Sequence, residues 1–202
     1  MEIFVLSLMF AFIGYTLKSR AEGRRIALLG LHLGSYQIEK LMETLTEGYA
    51  RALGESDAAR RDSIWQLMNG TEDKLAAQFK QLADSMAKVA AAETGVNLWP
   101  WPLSEAATWA PSARFDLREA LKIHANGLAH AAHHSDAVSP QSRAFTLSAE
   151  LFLMQHTCHW FCKSKTIASA RMLVRHKTPY EMVLQSVSPE TRRAYNALVG
   201  QA

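Results

Sequence analysis

Fifteen consecutive residues without a charge, Ile3 to Leu17 (IFVLSLMFAFIGYTL), constrain this chain more than any other stretch. A helix of that composition has to be covered, by lipid, by another protein or by the rest of its own chain. Spanning a bilayer takes about 17–25 predominantly apolar residues, so the run stands at the lower limit. A cleaved signal peptide would carry basic residues ahead of the run and a small-x-small site behind it. Here Met1 and Glu2 precede it, and Lys18, Arg20, Glu22, Arg24 and Arg25 follow. Positive charge on the C-terminal flank predicts an uncleaved single-pass anchor with its flank over residues 1–25, the N-terminus outside and the bulk of the chain cytoplasmic. The competing expectation is a helix buried in a soluble bundle or at a subunit interface.

Beyond this run the chain reads as all-α. Six prolines and ten glycines in 202 residues, against abundant Ala, Leu, Glu, Lys, Arg and Met, favour helix over a turn-rich β fold. No stretch alternates apolar and β-branched with polar residues, so no sheet is predicted. Charge is unevenly placed: residues 139–202 carry eight Lys and Arg against three Asp and Glu, which makes the C-terminal third basic.

Ile38, Met42, Leu45, Tyr49 and Ala52 step by four and three, the spacing of a helical seam, and Gly54 marks its end. A short helix follows over 57–68, broken at Asn69-Gly70. Thr71 caps a third, on which Leu75, Phe79, Leu82, Met86 and Val89 repeat the seam. Residues 26–94 are therefore predicted to form an amphipathic hairpin or stalk whose seams pair with each other or with a partner. Gly30 and Gly34 form a Gly-x-x-x-Gly pair that permits close helix approach.

Residues 95–111 form a connector rich in tryptophan and proline. Pro100, Pro102 and Pro111 exclude a regular helix there, and Trp99, Trp101 and Trp109 need cover. They either pack on the bundle or lie at the headgroup level of a membrane or in a partner's groove. Arg24 and Arg25 are the matching candidates for membrane or partner contact on the basic flank.

A compact C-terminal bundle is predicted over 112–202. Its first helix starts at Ser112 or Asp116 and runs to about His134, with His130, His133 and His134 on one face together with Glu119, Lys122 and Asn126. Ser139-Pro140 starts a second helix, continuing to about His176. Thr178-Pro179-Tyr180-Glu181 reads as a capping box and Ser188-Pro189-Glu190 as another start.

The second helix contains Phe145 to Cys162 (FTLSAELFLMQHTCHWFC), where His and Cys crowd together. At about 100° per residue, Cys158 and Cys162 share the side of Leu147, Leu151, Met154 and Phe161, which makes them core filling. His156 and His159 then lie at the edge of that core. The alternative is a zinc site of Cys158, His159 and Cys162 completed by His130 or His134, or haem held by a bundle histidine. Paired Cys-x-x-Cys knuckles are missing, and no metal or haem is expected on this count. Cysteines four apart on a helix have Cβ atoms about 5–6 Å apart, against about 3.5–4.5 Å in a disulfide, so they stay unpaired, as suits a reducing compartment.

Dinucleotide, P-loop, HExxH and GxSxG motifs are all absent from the sequence. Basic residues of the last third spread around their helix instead of forming one stripe, so nucleic-acid binding is not expected. The functional expectation is a non-enzymatic adaptor or structural subunit of a membrane complex, touching the membrane through residues 3–17 and other subunits through its helices. A metal- or haem-dependent sensor or enzyme built on the His/Cys constellation is the alternative.

Overall fold

The computed structural model describes residues 2–98, 114–133 and 138–200. Among them nine helices and one two-stranded ribbon follow in the order α1 (Glu2–Leu33), α2 (Ile38–Gly54), α3 (Ala58–Met86), α4 (Ala91–Thr94), β1 (Gly95–Asn97), β2 (Arg114–Asp116), α5 (Leu117–Ala131), α6 (Pro140–Cys162), α7 (Lys165–His176), α8 (Tyr180–Ser186) and α9 (Pro189–Val199). The fold is all-α.

Both seams are buried against each other. Ile38, Met42, Leu45, Tyr49 and Ala52 of α2 face Leu75, Phe79, Leu82 and Met86 of α3, all within the core. The pair runs antiparallel: Gln37 donates its backbone N–H to the Gln78 side-chain carbonyl at 2.8 Å, while Tyr49 at the other end meets Trp65 with ring centroids 5.8 Å apart.

The predicted break at Asn69-Gly70 does not occur; α3 runs unbroken through it. A helical glycine costs only about 1 kcal/mol, and the turn that contains it is held from outside. Asn69 accepts a bond from Arg143 at 2.6 Å, and Glu72 one turn on is fully buried.

Helix α6 lies at the centre of the C-terminal part, packed by α5, α7, α8, α1, α2 and β1. Its buried residues, among them Leu147, Leu151, Met154, Thr157, Trp160 and Phe161, surround most of its circumference. Ser139 and Ser188 cap α6 and α9 as predicted, each hydroxyl accepting the backbone N–H three residues on. Asp116, not Ser112, caps α5, accepting from the Arg118 N–H at 2.9 Å.

Three further expectations fail locally. The helix predicted from Pro140 to His176 is interrupted at Lys163 and Ser164, where the Ser164 hydroxyl caps α7. Thr178 does not close a capping box: its hydroxyl donates to the His176 carbonyl at 2.9 Å, and Pro179 takes the cap position. A small antiparallel ribbon is present where no strand was predicted, pairing Val96 with Phe115. It is too short to show alternation, and it exists because Phe115 packs edge-on against Trp160 at 5.0 Å and Val96 is buried beside it.

Candidate functional site

The apolar half of α1 is uncovered. Phe4, Phe10 and Phe12 are 74%, 71% and 67% exposed, and the apolar side chains between them are exposed as well. The helix from Phe4 to Leu33 is long and apolar enough to cross a membrane, with a mean hydropathy of 1.2, and none of its apolar window is buried by this chain. Gly30, half of the Gly-x-x-x-Gly pair, faces open space.

Its second half is docked. Glu22 pairs with Lys163 at 2.6 Å, Arg25 donates to the Phe161 carbonyl at 3.4 Å and lies over the Phe161 ring, Leu29 is buried, and His32 Nδ1 meets the Ser85 hydroxyl at 2.5 Å. These four positions are spaced three, four and three apart, one stripe of a helix. Arg24, the other candidate contact on the flank, points away from the bundle and is exposed. Trp99, Trp101 and Trp109 lie outside the described residues. The ribbon that leads into and out of their segment is held at this end of the bundle, since Trp160 donates its indole N–H to the Asn97 carbonyl at 2.9 Å.

The His/Cys stretch departs from its expected orientation at His156. Cys158 and Cys162 are free thiols packed against the core, half-buried, and His156, expected at the edge, is 1% exposed. Burial pushes the Cys158 thiol up to about 12, with Cys162 adding to the shift. Burial likewise raises Cys162 against the downward pull of Arg25, Arg171 and Lys163. His159 is lowered by burial and by Arg171, whose guanidinium donates to His159 Nδ1 at 3.3 Å. His130, in the last turn of α5, is exposed and near enough to Glu150 to act on its carboxyl. His134 lies outside the described residues. Among the described residues no three His, Cys, Asp or Glu side chains converge as metal ligands. Protonated thiols are poor nucleophiles and poor metal ligands.

A second polar constellation escaped the sequence reading. His124 and Thr157 are fully buried, as is Tyr195. The Thr157 hydroxyl donates to the Leu153 carbonyl at 3.0 Å, so its lone pairs accept from His124 Nε2 and from the Tyr195 hydroxyl, both at 2.9 Å. That fixes His124 as the Nε2–H tautomer and leaves Nδ1 a buried acceptor without a hydrogen bond. His156 bonds Ser169 through Nε2 at 3.0 Å and lies against Tyr180, with ring centroids 4.5 Å apart and planes tilted by 32°. Burial lowers both histidines to about 3, helped at His124 by His156 and at His156 by Lys165. Both imidazoles are neutral structural elements at neutral pH. The available signal was spacing: His124 falls on the same helical stripe as Leu117, Leu121 and Leu128.

A third cluster joins α2, α3 and α6. Arg143 Nε donates to Glu72 Oε2 at 3.0 Å, and the Tyr49 hydroxyl donates to Glu72 Oε1 at 2.7 Å. Tyr49 also forms the floor of an open cleft of about 460 Å³, walled by Leu53 and by Ser139, Gln141, Ser142, Ala144, Phe145 and Ser148 at the start of α6.

No protein-family model, curated protein or solved structure matches this chain.

Proposed function

We propose that this chain is a single-span membrane-anchored helical adaptor or structural subunit of a membrane protein complex, with its N-terminus outside and its bundle on the cytoplasmic side. The observation that carries the proposal is the contrast within α1. From Glu22 on, one stripe of the helix is packed on the bundle, whereas the uncharged half is exposed around its circumference and has no cover from its own chain. Lipid supplies that cover at no cost in exposed apolar area. The basic residues Lys18, Arg20 and Arg24 stand where the positive-inside rule puts them for a cytoplasmic bundle. An adaptor role is supported by large apolar side chains left exposed on the bundle, among them Leu67, Leu173 and Val174. The strands Gly95–Asn97 and Arg114–Asp116, which flank the Trp-bearing stretch in sequence, sit beside Trp160 near the anchor end of α6, which suits a contact of that stretch with headgroups or with a membrane partner.

Carbonate washing of membranes tests the anchor: retention in the pellet is the expected result, and release into the soluble fraction would overturn it. Labelling of the variant Glu2→Cys by a membrane-impermeant thiol reagent tests the orientation, with modification expected from the outside of intact cells.

A further inference from the structure

Helix α1 does more than pass through the bundle's edge; it fixes which end of the bundle lies nearest the lipid. Leu17 ends the uncharged run, and Glu22 and Arg25 follow it by five and eight residues, about 8 and 12 Å along a helix axis. Any tilt shortens those heights. Glu22 holds Lys163 and Arg25 holds the Phe161 carbonyl, so α6 runs antiparallel to α1 and arrives at the membrane with its C-terminal end.

Helix α7 then turns away. Arg171 is level with His159 of α6, and His176 bonds Gln155 at 2.9 Å while stacking on Phe152. Of the basic residues distributed around α7, therefore, Lys165 lies nearest that end, its ammonium at the level of Trp160, about one turn below Lys163, and Arg175 is far below. Height along the bundle, which the sequence does not display, sorts these charges.

At this end the balance is strongly positive. Lys18, Arg20 and Arg24 are exposed on α1. Lys165 is held in place by the faces of Trp160 and Tyr180, with its ammonium 5.2 and 4.9 Å from their centroids. Arg114 at the start of β2 lies close enough to Arg25 to repel it. The carboxylates that face this group are Glu22, already engaged by Lys163 with Lys18 3.9 Å away, and Glu181 of α8, which acts on Lys165.

We propose that the α6–α7 corner and the adjoining basic face of α1, presenting Lys18, Arg20, Arg24 and Lys165, form a docking surface for anionic phospholipid headgroups of the leaflet on the bundle's side. This rests on the reading of α1 as a membrane span. A cation within a Debye length, about 8 Å at physiological salt, gains roughly a fivefold preference for an anionic surface. Acting together on a rigid corner, several such cations hold the bundle upright against the membrane.

The test uses the full chain in lipid nanodiscs of phosphatidylcholine alone or mixed with phosphatidylglycerol, read by amide hydrogen exchange over residues 163–171. Phosphatidylglycerol should slow exchange there by at least about fivefold, the preference of one engaged cation. High salt should abolish the effect, and so should the combined variant Lys18→Gln, Arg20→Gln, Arg24→Gln and Lys165→Gln. The charge-preserving Lys165→Arg should keep it, and equal exchange of wild type and combined variant in pure phosphatidylcholine verifies that the variant is folded. Identical exchange in the two lipids, with the protein retained on carbonate-washed membranes, overturns the docking surface and leaves the anchor standing. Release by carbonate overturns the anchor and the surface together. If inorganic phosphate reproduces the protection in phosphatidylcholine discs, the corner is a site for free anions and the lipid proposal fails.

Discussion

Removing the guanidinium of Arg143 should be far more damaging than removing the whole cluster it belongs to. Glu72 is 0% exposed and Arg143 7%, so the ion pair between α3 and α6 is desolvated on both sides. Arg143→Met would leave a buried carboxylate whose balancing cation is gone, a loss of about 3–5 kcal/mol. For a chain of this size that corresponds to a fall in Tm of roughly 10 °C. The triple variant Tyr49→Phe, Glu72→Met and Arg143→Met removes the carboxylate together with the hydroxyl and guanidinium bonded to it, and replaces them with apolar groups of similar volume. Exchange of a buried ion pair for packed apolar side chains is often neutral or stabilising, so the triple should lie within about 2 kcal/mol of wild type. Asn69 loses its bond to Arg143 in both variants, and as a half-buried amide it can turn to water. Thermal unfolding of the full chain in detergent, followed by near-ultraviolet circular dichroism, reads these differences. A triple variant as unstable as the sum of its single substitutions would refute the reasoning. So would an Arg143→Met loss under about 1 kcal/mol, the scale of an exposed pair.

Acid should weaken the fold well above the carboxylate range. His124 and His156 are held near 3 in the fold against an ordinary 6.5, so the unfolded chain takes up protons that the folded chain refuses. Stability is full above 6.5 and is lost as the pH falls from there toward 3, by about 2 kcal/mol per histidine at pH 5. Burial of Glu150 raises its carboxyl and acts with the opposite sign, its contribution being present at low pH and lost as the pH rises. Urea midpoints at pH 7 and pH 5 check the balance, and an unchanged midpoint contradicts it. Thiol alkylation should be slow at neutral pH, slowest at Cys158, whose thiol is pushed to about 12; rapid modification of that residue in the folded chain would contradict its burial. Lys177 ends α7 in the left-handed region at φ 54, so Lys177→Gly should stabilise by up to about 1 kcal/mol, measured as a higher urea midpoint.

Helical periodicity was the most legible property of the sequence. The seams of α2 and α3 and the caps at Ser139 and Ser188 depend on residues a few positions apart, and there the expectations hold. What escaped depends on distant partners. Gly70 sits inside a helix because Arg143, far along the chain, holds the preceding turn at Asn69. The strands Gly95–Asn97 and Arg114–Asp116 are three residues each, and their pairing depends on Trp160 accepting Phe115 against its ring. In the candidate sites the angular reading of α6 placed the cysteines in the core and the histidines at its edge. The structure keeps the cysteines against the core and buries His156 as well, because its neighbours Ser169 and Tyr180 come from helices whose positions no spacing within α6 reveals. His124 was the one buried site residue with a local signal, its place on an otherwise apolar stripe.

The stripe of Glu22, Arg25, Leu29 and His32 gives the proposed anchor a mechanical meaning that its hydropathy alone does not. An apolar helix joined to a bundle by a flexible linker would restrict only the bundle's distance from the membrane. Here the helix continues without a break to Leu33, and its contacts reach α6 at Lys163 and Phe161 and α3 at Ser85. Rotation of α1 about its axis would carry that stripe off its partners within a fraction of a turn. The apolar half of α1 and the bundle therefore share one orientation. A partner that turned or tilted α1 within the lipid would move the α6–α7 corner with it, since the Glu22–Lys163 pair, half-shielded from solvent, joins the two directly.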